Sequence, residues 1–213
     1  MIFQDRVDAG QRLAEALKEH AGPDTVVLAI PRGGVIVGEV VARTLGVPLD
    51  VVVPRKVGAP GNPELGLGAV ASGVRVLDPW LIERLGVTDE YLEHEIAAQE
   101  AETVRRLGAY RAGRPPIELE GKTAIVVDDG VATGGTAVAA VRWARTQGAA
   151  TVVLAVPVAP PQTIQRLSHE ADQVVALATP EPFFAVGEWY REFDQTSDAE
   201  VVAALGRASG ASE

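Results

Sequence analysis

Five stretches of the chain, residues 25–30, 49–53, 123–128, 151–156 and 173–177, are apolar at almost every position. Unbroken rather than alternating hydrophobicity is the mark of strands covered on both faces. Helical patterns follow the first strand at 35–45, the third at 136–147 and, more briefly, the fourth at 163–169. Gly46 and Gly148 stand where a helix end needs a residue tolerant of positive φ. This alternation predicts an α/β fold: an open parallel sheet of about five strands, flanked by helices and joined by right-handed crossovers. Ahead of the first strand, Phe3, Val7, Ala14 and Leu17 fall on one face of a helix expected to pack on the sheet.

Between the second and third strands the chain runs for about 70 residues, too far for an ordinary crossover. This insertion, about 55–115, opens on Arg55-Lys56-Val57-Gly58-Ala59-Pro60-Gly61-Asn62-Pro63, a stretch with the composition of a loop. A hairpin is expected from 67–71 and 74–77, then a helix opened by Asp78 as cap and Pro79 at its first position. A long acidic helix over 89–111 completes the insertion, its charges read as a solvated face. Ser197-Asp198-Ala199-Glu200 is a capping box for a final helix through Leu205. The whole reads as one domain over residues 1–208 with a disordered tail at 209–213.

Composition narrows the function classes. The chain has 213 residues, of which 47% are hydrophobic and 23% charged, enough to bury a core. Its net charge of −10 argues against nucleic acid as a partner, since phosphates are neutralised by clustered Lys and Arg. It has no cysteine, which excludes disulfides, thiolate nucleophiles and cysteine-based metal sites and agrees with a reducing, cytoplasmic setting. The N-terminal residues lack the basic and apolar regions of a secretory signal, and no apolar run reaches the roughly 20 residues that span a bilayer. His20, His94 and His169 have no ligand spacing and are expected to be structural or exposed.

Chemistry concentrates where the third strand ends, in Val126-Val127-Asp128-Asp129-Gly130-Val131-Ala132-Thr133-Gly134-Gly135-Thr136. A strand, two adjacent carboxylates, a turn of small residues and a helix start follow one another. Backbone N–H groups of such a turn and helix N-terminus favour an anion, so the turn reads as a phosphate cradle. Gly134 and Gly135 permit close approach, and Thr133 and Thr136 add hydroxyl donors. Two carboxylates would repel a phosphate, but they suit vicinal hydroxyls on the same ligand. A ribose 5-phosphate group has that shape. Two other phosphate motifs are set aside: Gly121-Lys122-Thr123 precedes its strand instead of following it, and Gly66-Leu67-Gly68-Ala69-Val70-Ala71 matches a dinucleotide fingerprint in letters only.

The Val126–Thr136 stretch resembles the phosphoribosyl pyrophosphate (PRPP) binding motif of type I phosphoribosyltransferases. Pro31-Arg32-Gly33-Gly34 resembles that family's pyrophosphate loop, in which an often cis peptide turns N–H groups to the ligand. Pro54-Arg55-Lys56-Val57-Gly58 resembles the Arg-Lys pair from which its flexible loop departs. The resemblance implies that residues 180–193 form a hood over the acceptor base, with Phe183, Phe184 and Trp189 as a stacking wall or, equally, as packing for the C-terminal helix. It implies transfer of the 5-phosphoribosyl group from PRPP to a nitrogenous base with release of pyrophosphate. Asp128 and Asp129 would face the ribose, while Arg32, Arg55 and Lys56 would stabilise the leaving group. Mg²⁺ would be held mainly by ligand and water rather than by protein.

Within the family, 6-oxopurine enzymes usually carry an acidic residue where this chain has Ala132. The Ala-Thr-Gly-Gly-Thr ending is closer to adenine-type enzymes, whose insertion is shorter. The pattern looks most like bacterial members with no assigned acceptor, and orotate and uracil types stay open. A PRPP-sensing regulator of the same fold is the alternative, whereas a PRPP synthetase would call for a longer, two-half architecture. A homodimer is the default assembly.

Overall fold

The computed structural model describes residues 1–210. The elements in order are α1 (Arg6–Ala16), β1 (Thr25–Ala29), α2 (Gly33–Leu45), β2 (Leu49–Val51), β3 (Arg55–Ala59), β4 (Asn62–Ala71), β5 (Val74–Leu77), α3 (Pro79–Arg84), α4 (Asp89–Arg111), β6 (Thr123–Val127), α5 (Gly135–Thr146), β7 (Thr151–Val158), α6 (Pro161–Leu167), β8 (Gln173–Ala178) and α7 (Asp198–Gly210). Five strands form a parallel sheet in the order β2-β1-β6-β7-β8, as the apolar pattern predicts.

Alternate residues of each strand feed two different cores. Val27, Ala29, Ile125 and Val127 pack with Leu13, Val37, Val41, Val201 and Leu205 of α1, α2 and α7. Val26, Leu28, Ala124 and Val126 pack on the other face with Val138, Val141 and Leu167 of α5 and α6. Covering both faces of one sheet is why β1, β6 and β7 are apolar at nearly every position. The chain first steps from β1 outward to β2, then returns to the other side of β1 with β6. The order therefore reverses between β1 and β6, where open α/β sheets leave a crevice at the carboxyl ends of their strands.

Several expectations need correction. Residues 55–63 are not loop: β3 and the start of β4 form an antiparallel pair, turned at Pro60-Gly61 where Gly61 has φ of 72°. Irregularities at Val57–Gly58 and Gly58–Ala59 accommodate the glycine and proline content that suggested a loop. With β5 they make a second, three-stranded sheet. This sheet packs Val57, Leu67 and Val70 on Leu92 and Ile96 of α4, and Ala69 and Ala71 on Ala139 of α5. Phe3 precedes α1 instead of belonging to it and is bridged to Tyr190, and Val7 is exposed. The final helix passes Leu205 to Gly210, so Ser209 and Gly210 continue it, while residues 211–213 lie outside the described residues.

The charges of α4 are not all solvated either. Arg111 donates from Nε and Nη2 to both carboxylate oxygens of Asp50 at 3.0 Å, and Asp50 also accepts from the Ile117 N–H. Their side chains are 16% and 7% exposed, so the pair is a largely dry tie between the end of the insertion and β2. Removing the cation strands a buried carboxylate, and Arg111→Met is expected to lower stability by about 3 kcal/mol in urea unfolding. A loss no larger than that of an exposed ion pair would contradict this role.

Candidate active site

Parallel pairing of Ala29 with Val127 brings the ends of β1 and β6 side by side. The two loops that leave them, residues 30–33 and 128–134, diverge to α2 on one face and α5 on the other. Neither helix has a capping side chain, whereas α1, α3 and α4 are capped by Asp5, Asp78 and Thr88. The first N–H groups of a helix have no partner within it, so both helices present open donors at the crevice.

The loop after β6 is held from behind. Thr163 Oγ1 donates to the Ala132 carbonyl at 2.7 Å, and Arg166 Nη2 donates to the Thr133 carbonyl. Val131 N–H donates to the Val158 carbonyl at 2.9 Å. With these carbonyls engaged by α6, the polar groups left to line the crevice are N–H groups and the hydroxyls of Thr133 and Thr136. Gly134, at φ of 80°, turns the chain into α5, and a Cβ there would meet Arg166 Nη2 at 2.9 Å.

The two carboxylates stand against the other loop. A Cβ on Gly34 would lie 2.9 Å from Asp128 Cα and Oδ1, and one on Gly33 would overlap the Asp129 carboxylate and approach Arg6 Nε at 2.7 Å. Arg32-Gly33-Gly34 is thus glycine-rich because the Asp pair occupies the space a side chain would need. The Pro31–Arg32 peptide is cis. Arg32 itself reaches α7, 4.0 Å from Asp198 Oδ1.

Asp128 Oδ1 accepts from the Asp129 N–H at 2.8 Å. Burial, and next the neighbouring Asp129 charge, hold the Asp128 carboxyl well above the usual carboxylate range. Burial also raises Asp129, but Arg6 opposes it, donating from Nε to Asp129 Oδ2 at 2.8 Å. Tyr190 Oη donates to the Asp129 carbonyl at 2.5 Å. Arg6 and Tyr190 lie 123 and 61 positions from Asp129, and nothing local in the sequence marks them. Thr163 and Arg166 are equally unmarked.

Arg55 and Lys56 separate, as neighbours in a strand must. Arg55 turns to α4 and donates to Gln99 Oε1 at 3.0 Å, with its pKa lowered by burial and then by Arg106. Lys56 turns to the crevice side, where it pairs with Glu64 at 3.1 Å. There a cavity of about 600 Å³ opens between the second sheet and the loop, lined by Lys56, Gly66, Gly68, Thr133, Thr136 and Arg166 among others. Lys56 thus borders this cavity, while Arg55 is turned to α4. In the 180–193 segment, Phe183 stacks on Trp189 with centroids 6.3 Å apart and both join the cluster of Phe3, Val158 and Tyr190, while Phe184 is 77% exposed.

Among the described residues no group of three or more His, Cys, Asp or Glu could cage a metal, and no helix is long and apolar enough to cross a membrane. Raised pKa values have a consequence for stability. A carboxyl that titrates higher in the folded chain binds its proton more tightly there, so stability falls as pH rises above about 4. Asp128→Asn removes this penalty and still accepts from the Asp129 N–H. We expect the variant to melt above the parent at neutral pH and to match it near the unfolded carboxyl pKa. Equal melting curves across this window would contradict the burial of charge at Asp128.

The model of the phosphoribosyl transferase domain family matches residues 2–190. Over 208 residues, 97% of its length, the chain is 49% identical to proteins of two Mycobacterium tuberculosis strains named "Putative phosphoribosyl transferase". The chain spans 47% of the length of these relatives. It is 47% identical to TT1426 from Thermus thermophilus, whose crystal structure it matches with a TM-score of 0.81 over 96% of this chain and 98% of that one. Purine phosphoribosyltransferase from Pyrococcus horikoshii shares the fold, with 21% identity, a TM-score of 0.51 and coverage of 90% and 93%. The chain belongs to the phosphoribosyl transferase domain family.

Proposed function

From this membership we propose that the chain transfers the 5-phosphoribosyl group from PRPP to a nitrogenous base and releases pyrophosphate. The observation that carries the reading is the meeting, at one crevice, of an Asp pair and an uncapped, glycine-rich helix entrance. The carboxylates match vicinal hydroxyls, and the N–H groups and threonines match the 5-phosphate. Separation along the loop keeps the anion of the ligand away from the anions of the protein.

In this reading Asp128 and Asp129 orient the ribose and oppose the positive charge that grows on it as the anomeric bond breaks. N–H groups at the start of α2, with Arg32, receive the pyrophosphate. Lys56 reaches into the adjoining cavity, and the second sheet, with residues 180–193 as hood, limits access of water to the reacting centre. Mg²⁺ would neutralise pyrophosphate charge if bound with it, held mainly by ligand and water, with Asp128 and Asp129 as the carboxylates of the crevice. The chain's residues bind and orient; the nucleophile is the acceptor base.

The test is pyrophosphate release from PRPP and Mg²⁺ against a panel of purine and pyrimidine bases and small amines. Release with one acceptor is the expected outcome, and binding without release from any would instead favour a sensing regulator. Asp128→Asn and Asp129→Asn are each expected to weaken PRPP binding by about 2 kcal/mol, the scale of a charged hydrogen bond and its stranded partner. Unchanged affinity in both would overturn the assignment of the Asp pair.

A further inference from the structure

Arg6 is held on three sides at the first position of α1 and is only 12% exposed in its side chain. Nε donates to Asp129 Oδ2 at 2.8 Å, Nη1 donates to the Asp194 carbonyl at 2.8 Å, and Cζ lies 3.9 Å from the centroid of the Phe193 ring. That ring packs on Tyr190 at 4.9 Å, and Tyr190 grips the same aspartate through its main-chain carbonyl. One residue of α1 and one of the hood segment therefore fix both the side chain and the backbone of Asp129. Gly33 completes the enclosure, since a side chain there would collide with Arg6 Nε and the carboxylate together.

We infer that Arg6 is a positioning residue that aims the Asp129 carboxylate at the ribose hydroxyls. The inference rests on the reading of Asp129 as a ribose ligand. An unsupported carboxylate beside Asp128 has two ways to relieve repulsion, rotation away or protonation, and either would remove an acceptor from the ligand. A fixed cation on Oδ2 blocks both. It also makes the pair unequal, since the guanidinium contacts the Asp129 carboxylate while Asp128 Oδ1 accepts from the Asp129 N–H. The direction of the acidity shifts agrees, with Arg6 lowering Asp129 against the effect of burial.

The other charged or titratable groups nearby are Asp5, which caps α1, Asp8 of α1 with its own partner Arg12, Asp128, Tyr190, Glu192, Asp194, and Glu200 of α7. Arg32, from the α2 entrance, is turned to Asp198. Loss of Arg6 would thus remove the guanidinium that contacts the Asp129 carboxylate.

The experiment measures PRPP–Mg²⁺ binding by calorimetry in the full chain and the Asp129 carboxyl titration by NMR in the free protein. Arg6→Met is expected to weaken binding about tenfold, the scale of one charge-assisted hydrogen bond, and to move the Asp129 titration to higher pH. Arg6→Lys, which keeps the charge, is expected to recover most of both. In an Asp129→Asn background, Arg6→Met should add no further loss of affinity. Losses that multiply in the double variant, or a titration unmoved by Arg6→Met, would overturn the inference. Absence of PRPP binding by the parent chain would refute the functional reading, and the titration would still decide whether Arg6 governs Asp129.

Discussion

Two carboxylates in succession at the end of a buried strand are an electrostatic problem, and much of this structure is arranged around it. Desolvation opposes the ionisation of both, and at Asp128 the neighbouring Asp129 charge adds to it. The chain answers with one guanidinium brought from α1, backbone N–H support within the pair, and two glycines on the facing loop that let the carboxylates keep their place. The turn that follows is shaped separately, by carbonyls tied back to α6 and a helix entrance without a capping side chain. Under the proposed function, keeping the two apart along one loop would let a single ligand present hydroxyls to the Asp pair and a phosphate to the turn.

The fold is legible because its signal is local. A doubly covered strand needs apolar residues at successive positions, and β1, β6 and β7 carry that pattern without reference to anything distant. The same holds for Asp128 to Thr136, whose chemistry lies in one run of chain. What supports the run does not. Arg6, Tyr190 and Thr163 act across the fold, and each is an ordinary residue in its own neighbourhood. Arg55 and Lys56 show a different limit: as a dipeptide they look equivalent, and only their place in a strand sends one to α4 and the other to the crevice. Residues 55–63 look like loop because glycine and proline usually break strands. Here bulges absorb them, and pairing with β4 supplies the order that composition does not.

The insertion is more than an appendage. Its sheet has a core of its own and a second contact on α5, so one wall of the cavity beside the loop after β6 is built from the insertion and the opposite wall from that loop, the start of α5 and Arg166 of α6. The Asp50–Arg111 tie fixes the far end of α4 to β2, and Thr103 Oγ1 adds a bond to the Val53 carbonyl. These contacts join the insertion to the edge of the sheet from which it departs, and so set where its hairpin stands relative to the crevice.

The pairing of Ala29 with Val127 has a consequence for how the molecule comes into being. The partners are separated by roughly 100 positions of chain, and contacts of such long span close slowly while local ones form first. The hairpins, α4 and the single crossovers can organise within their own segments, but the crevice exists only once β6 has docked on β1. Binding competence should therefore arise at the end of folding, with the final registration of the central strands, and a ligand that bridges both loops would act as a clasp on that last step.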